Sequence, residues 1–285
     1  MAASASVDCP KESRTTACDE IYGSATLYHN GQVEGHARLK FTVGWHTRIN
    51  SPHFRGELTV EVLSADFSGA TATVTGGCGS PCFSTGSAHG AVIPGHSFEG
   101  TLEFDDVTNN VHTNLPSLTM QVHKPGYPGA PASGNLGTTV RCDDLFKGRS
   151  AGCVINAFNP TLKTMSGLPH IATHIRNIQT HGPSHYGMPG SGHPLHRLSG
   201  KSAITKNRRA VCGRKVTGPP PKPDLTCDEY PFASSHEGGT ALPKTERGIA
   251  WVPGAEQSSQ GGLISAFYQE NRILDDGRDA FYVEV

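Results

Sequence analysis

The chain has 285 residues and a formal net charge of −1, with 34 glycines, 20 prolines and 35% hydrophobic residues. This length allows two domains, and the composition favours short strands and turns over long helices. No apolar run reaches the roughly 18–20 residues of a membrane-spanning helix. The N-terminal stretch MAASASVDCP lacks the layout of a signal peptide, so we expect a mature chain with an added start Met.

The first part of the chain has the two-residue period of β-strands. Residues 23–43 alternate around Asn30-Gly31, a pair typical of a tight hairpin turn. The same period continues in residues 55–65, 69–77, 98–106 and 115–123. We therefore predict an antiparallel β-sandwich-like accessory domain over residues 1–124. The Pro/Gly-rich residues 125–137 are interpreted as a linker.

Eight cysteines form four pairs that are close in sequence: Cys9 and Cys18, Cys78 and Cys82, Cys142 and Cys153, Cys212 and Cys227. An even count with short loops favours disulfides and an oxidising compartment, so we expect a secreted protein. The alternative is a zinc site, but only CGSPC has tight spacing, and no partner pair is evident.

The small net charge conceals three blocks of different sign. The formal charge is −5 over residues 1–137, +11 over residues 138–222 and −7 over residues 223–285. A basic block followed by an acidic block suits a phosphodiester hydrolase, in which cations hold the polyanion and carboxylates bind a metal and activate water. The alternative is that the two blocks neutralise each other across a packed interface.

After the linker, residues 138–144 read as a strand, and residues 167–182 carry apolar side chains at helical spacing. On that helix His170 and His174 lie at i and i+4, which suits either a two-histidine metal site or an ordinary surface role. A basic cluster follows, interpreted as phosphate contacts or as a solvated face: Lys206, Arg208, Arg209, Arg214 and Lys215. Residues 247–254 read as a strand, residues 256–272 as a helix and residues 280–285 as a final strand.

Several ordered pieces of residues 138–285 resemble the NucA/NucB-type deoxyribonucleases, in particular their secreted actinobacterial members. The pieces are VRCDDLFKGRSAGCV, HIATHIRNIQ, KNRRAVC, CDEYPFASSHEGG, WVPGAEQSSQGGLISAFYQENRIL and DAFYVEV. The resemblance implies an α+β chain whose residues 138–285 form a small ββα-metal nuclease domain. In that class one divalent ion lies beside a hairpin and a crossing helix.

Carried onto this chain, the resemblance makes Asp228 the general base, with Glu229 beside it as a metal or water partner. It also implies that a disulfide ties Cys227 to Cys212 and thereby fixes the acidic turn to the basic segment. At the helix start, where the family has an asparagine ligand, this chain offers Glu256, Gln257 and Gln260 as candidate metal ligands.

Other candidate residues complete the predicted site. Arg208, Arg209 or Arg272 would stabilise charge on the phosphate, and all three are counted with the DNA-binding residues. His174 is a further catalytic candidate through a supporting or phosphate contact, and His236 is an alternative base. The expected cofactor is a divalent metal ion, Mg²⁺ or Mn²⁺ first, with Ca²⁺, Zn²⁺ or Ni²⁺ as alternatives.

The resemblance thus predicts a secreted, metal-dependent and sequence-non-specific endodeoxyribonuclease. Its partner would be DNA, held through the backbone, and the protein would act as a monomer without a membrane. The partner of the N-terminal domain stays open. Two alternatives remain: a secreted module that binds carbohydrate, protein or a cell surface and carries an inactive nuclease-like domain, or a DNase toxin.

Overall fold

A computed structural model describes residues 9–107, 109–275 and 277–285. The chain is mixed α and β, mostly strands, and divides into two compact units, Met1–Phe158 and Asn159–Val285. The start of the chain, on which the expectation of a mature N-terminus rests, lies outside the described residues.

The first unit is built from strands. Their bounds are β1 (Thr16–His29), β2 (Gln32–His46), β3 (His53–Ala65), β4 (Thr71–Gly77), β5 (Cys82–Thr85), β6 (Ser87–Ala91), β7 (Ser97–Asp106), β8 (Val111–Asn114), β9 (Ser117–His123), β10 (Ala132–Asn135), β11 (Val140–Asp143) and β12 (Gly152–Ile155).

Within the described residues, nine of these strands form one curled antiparallel sheet, and β8, β11 and β12 form a second sheet of three strands. Its order is β1-β2-β3-β7-β6-β4-β9-β10, with β5 beside β7. The predicted hairpin is confirmed, because β1 and β2 pair across Asn30 and Gly31, which both have positive φ. The sheet encloses an aromatic and aliphatic core around Trp45, Phe54 and Phe104.

The division between the units lies later than the predicted linker at residues 125–137. Strand β11 pairs with β12 on one side and with β8 on the other, so residues 138–158 belong to the first unit. Val140 and Ile155 join its core, and the Cys142–Cys153 disulfide joins the two strands. Part of the predicted linker is itself strand β10, which extends the large sheet.

The second unit combines helices with short strands. Its elements are β13 (Thr161–Leu162), a 3-10 turn (Thr164–Gly167), α1 (Pro169–His181), β14 (Leu195–His196), α2 (Lys201–Cys212), α3 (Arg214–Thr217), β15 (Leu225–Tyr230), β16 (Gly248–Pro253), α4 (Gly254–Glu270) and β17 (Ala280–Val283).

Its core joins the antiparallel hairpin β15–β16 to α1 and α4. Ile171 and Ile175 of α1, Val252 of β16 and Ile264 of α4 all belong to one buried cluster. The predicted helices at residues 167–182 and 256–272 are confirmed as α1 and α4. Helix α2 was not predicted, because most of its residues are polar and only Val211 among them is buried.

The structure contains four disulfides, Cys9–Cys18, Cys78–Cys82, Cys142–Cys153 and Cys212–Cys227. These are the same pairs that proximity in sequence indicated. Among the described residues, no helix has the length and apolar character needed to cross a membrane.

Candidate active site

The second unit brings the acidic hairpin against the first turns of α4. Strand β15 carries Cys227, Asp228 and Glu229 in succession, and β16 runs directly into α4. Neighbouring side chains of a strand point to opposite faces. Asp228 accordingly meets the amides of α4, whereas Glu229 meets Arg208 of α2.

Asp228 is almost completely buried, with 1% of its surface exposed. Its Oδ2 atom has no hydrogen-bond partner within the described part of the chain. Burial, and next the negative charge of Glu229, raise the pKa of Asp228 to about 7, although Gln260, Arg208 and Gln257 act in the opposite direction. The site therefore holds a carboxylate that is basic enough to exchange a proton near neutral pH.

The carboxamide of Gln257 lies 3.3 Å from Asp228 Oδ1, 3.2 Å from Arg208 Nη1 and 3.0 Å from Gln260 Oε1. In one orientation of this amide, its N–H donates to Asp228 Oδ1 and its oxygen accepts from Arg208. In the reverse orientation, its N–H donates to Gln260 Oε1 and its oxygen faces Asp228 Oδ1. Two oxygens facing each other in this way need a proton or a cation between them. Gln260 is itself buried, and its Nε2 has no partner in the described residues.

Arg208 contacts both Glu229 and the disulfide-bonded Cys227. Its Nη1 lies 3.5 Å from Glu229 Oε1, and its Nη2 donates a 2.9 Å hydrogen bond to the carbonyl oxygen of Cys227. Burial raises the pKa of Glu229, and the Arg208 charge opposes that rise. The Cys212–Cys227 disulfide fastens the last turn of α2 to β15. The guanidinium is thereby held beside the acidic strand, while the side chain stays 40% exposed.

A cleft of about 330 Å³, here called the α2–α4 cleft, opens beside this group. Arg208, Glu229, Gln257 and Gln260 line it together with Arg197, which the sequence interpretation did not single out. The Arg197 guanidinium lies 5.3 Å from the centre of the Tyr268 ring. No local motif marks Arg197, since only the fold carries it from the segment before α2 to the aromatic wall of α4.

The basic cluster lies on α2 and α3. Lys206, Arg209, Arg214 and Lys215 are exposed, so their charges are available to a polyanion. Arg272 is different, because its surface is 0% exposed. Its assignment to the DNA-binding residues therefore does not fit this structure, in which the guanidinium is enclosed within the second unit.

Glu256 does not join the acidic group through any described contact. Its Oε1 contacts His170 Nδ1 at 2.6 Å, and its Oε2 accepts hydrogen bonds from the backbone amides of His170 and Ile171. The carboxylate thus caps the first turn of α1, where backbone amides would otherwise lack partners. Both oxygens that were predicted as metal ligands are used in this way.

The other histidine candidates, His174 and His236, each contact residues outside the acidic pair. His174 is buried against the backbone of Gly248; burial lowers its pKa, and its Nε2 has no partner among the described residues. His236 Nε2 pairs with Asp275 Oδ1 at 2.8 Å, rather than with Asp228 or Glu229. The i, i+4 pair therefore does not act as one two-histidine site, because His170 holds Glu256.

The donor atoms at the hairpin suit a hard divalent cation. Asp228, Gln257 and Gln260 supply carboxylate and amide oxygens, the ligands that Mg²⁺, Mn²⁺ and Ca²⁺ prefer over the nitrogen and sulfur ligands of Zn²⁺. The unpartnered Asp228 Oδ2 is a buried oxygen that a water bound to such an ion would satisfy. Within the described residues, no group of three or more His, Cys, Asp or Glu side chains forms a metal cage.

A buried pair of acids beside amide groups and a guanidinium, next to a cleft and with exposed cations on α2 and α3, suits phosphodiester chemistry. Residues 188–283, about a third of the chain, match the family described as Deoxyribonuclease NucA/NucB. This part of the second unit is a domain of that family, and the recognition made from the sequence is confirmed. The match covers β14 to β17 and begins after α1. A search of curated proteins found no match to the chain.

Proposed function

We propose that the second unit is a metal-dependent endodeoxyribonuclease that hydrolyses DNA phosphodiester bonds without reading sequence. The family supports a deoxyribonuclease. The observation that carries the finer proposal is Asp228, a buried carboxylate whose Oδ2 has no partner among the described residues. It lies against the amide of Gln257, which lines the cleft together with Arg208.

In this proposal Asp228 is the general base. Its unpartnered Oδ2 accepts a proton from the attacking water, and a pKa of about 7 makes the carboxylate a far better proton acceptor than an ordinary aspartate. Glu229 keeps that pKa high by its own negative charge and holds Arg208 in place. The hydrogen bond of Arg208 to the Cys227 carbonyl fixes the guanidinium at the cleft wall.

Arg208 then contacts the phosphate, because its half-exposed guanidinium can stabilise negative charge that develops on the phosphoryl oxygens. Asp228 Oδ1 and the amide oxygens of Gln257 and Gln260 would hold a Mg²⁺ or Mn²⁺ ion, which leaves Oδ2 for the proton. When bound, that ion supplies Lewis-acid stabilisation and acidifies water. Exposed Lys206, Arg209, Arg214 and Lys215 bind the backbone, which carries no base information.

We further propose that the protein acts outside the cell as a monomer without a membrane partner. The four disulfides support an oxidising location, since such bonds persist there and are rare in the cytosol. The activity itself would be the same whether the protein scavenges DNA or acts as a toxin.

The test is the conversion of supercoiled plasmid in Mg²⁺ or Mn²⁺, compared with EDTA and with the Asp228→Asn variant. We expect nicking and degradation that EDTA stops, and a loss of at least about 100-fold in rate for the variant, which lacks the base. An intact plasmid under every metal would favour the binding-module alternative. Normal cleavage by a folded Asp228→Asn protein would remove Asp228 from the role of base.

A further inference from the structure

The α2–α4 cleft extends beyond the group of acids and amides. Its lining also includes apolar and aromatic side chains: Ile204 of α2, Phe232 after β15, and Ile264 and Tyr268 of α4. None of these side chains has a part in the hydrolysis described above. The lining therefore combines polar groups, beside which the phosphate would react, with apolar side chains that the hydrolysis leaves without an occupant.

The size of the cleft restricts that occupant. At about 330 Å³ it lies at the small end of the range of ligand pockets, roughly 300–1,000 Å³. It can receive one flat group attached to a phosphate, whereas a stacked and paired base cannot enter it without leaving the duplex. A nucleoside has the required combination of an apolar ring face and a polar sugar.

The charges at the cleft agree with a nucleotide. Arg208 and Arg197 both line the cleft, and the Arg197 guanidinium lies against the Tyr268 ring. A DNA strand presents a phosphate on each side of every nucleoside, so a cleft lined by apolar side chains and two guanidinium groups is complementary to one nucleotide unit.

We propose that the α2–α4 cleft binds one unstacked nucleotide next to the scissile phosphate, and that the preferred substrate is single-stranded or locally unpaired DNA. The proposal rests on the proposed function for the identity of the scissile phosphate. Stacking and apolar contact accept any base, so this preference is compatible with hydrolysis that ignores sequence. A duplex must first release a base from its stack and its pair, which slows its cleavage.

Two serines on α4 provide a matched pair of variants. Ser265 is exposed and lines the cleft, whereas Ser259 is exposed on another face of the same helix and does not line it. Side chains on a helix lean toward its N-terminus, so the ring in Ser265→Trp would extend across the opening near Gly261. Ser259→Trp adds the same ring to the same helix without closing the cleft.

The binding experiment uses Asp228→Asn protein, which does not consume the ligand, and a labelled oligothymidylate of about 12 nucleotides. We expect Ser265→Trp to weaken binding of the single strand about tenfold relative to Ser259→Trp, since the loss of one stacked base has that order of effect. Binding of a duplex of the same length should change little. Equal or tighter binding of the single strand by Ser265→Trp overturns the proposal, provided that both variants melt at the temperature of their parent.

Cleavage rates separate this inference from the proposed function. Active wild-type protein should cut single-stranded DNA several times faster than duplex, and Ser265→Trp should abolish that difference. If the protein cuts DNA but prefers duplex, the nucleotide pocket is wrong and the nuclease stands. If it cuts no DNA yet Ser265→Trp still weakens single-strand binding, the hydrolysis is wrong and the pocket stands.

Discussion

Ionisation of the buried Asp228 carboxyl should by itself destabilise the metal-free protein as the pH rises from acid to neutral. The pKa of this carboxyl is raised from 3.8 to about 7, mainly by burial. The folded protein therefore retains a proton that the unfolded chain releases between these two values, and stability falls as the pH rises through this window. At about 1.36 kcal/mol per pH unit, the loss attributable to Asp228 is on the order of 4 kcal/mol.

Asp228→Asn removes the charge but keeps the size of the side chain. We expect the free energy of unfolding of the variant, measured by urea denaturation in EDTA, to exceed that of the wild type by on the order of 4 kcal/mol at pH 8. Near pH 4 the two proteins should be nearly equal, because Asp228 is then protonated in the folded state. Mg²⁺ at pH 8 should stabilise the wild type more than the variant, since the ion would compensate the carboxylate.

Asp224→Asn is the matched control, since Asp224 is an exposed acid just before the same strand. Its substitution should change stability by less than about 0.5 kcal/mol at either pH. A wild-type protein as stable as Asp228→Asn at pH 8 in EDTA would refute the reasoning, because it would mean that the folded state accommodates the ionised carboxylate without cost.

Three further predictions concern the surroundings of the site. Replacing both Lys206 and Arg209, which are exposed, with glutamine should reduce the slope of log binding constant against log salt concentration by about 0.7–0.9 for each lost phosphate contact. Anisotropy titrations from low to high salt measure this slope. An unchanged slope would mean that DNA binds to another surface. The double substitution Cys212→Ser and Cys227→Ser removes a disulfide with a sequence separation of 15. It should lower the free energy of unfolding, measured in urea, by about 3 kcal/mol. Equal stability of the double variant and the wild type would contradict this. Glu256→Ala removes the cap of α1 and should lower the free energy of unfolding, measured by thermal unfolding, by about 1–2 kcal/mol. Its rate of plasmid cleavage should stay within about threefold of the wild type. A complete loss of cleavage in a folded variant would restore Glu256 as a metal ligand.

Local patterns were sufficient where a single element carries the information. The Asn30-Gly31 turn and the alternation on either side of it predicted β1 and β2, because a tight turn and a half-buried strand are set by neighbouring residues. The apolar spacing of residues 167–182 likewise predicted α1. Residues 138–158 were assigned to the wrong side of the division between units, since their pairing with β8 is a contact between segments distant in sequence.

The sequence by itself determined the two acids, the basic stretch, the close cysteine pairs and the family of the C-terminal domain, because each is a property of consecutive residues. Only the tertiary structure decided that Asp228 is buried beside Gln257, that Glu256 caps another helix, that Arg272 is enclosed and that Arg197 lines the cleft. The physical reason is that burial and electrostatic environment depend on which segments pack together, and one-dimensional spacing does not specify that packing.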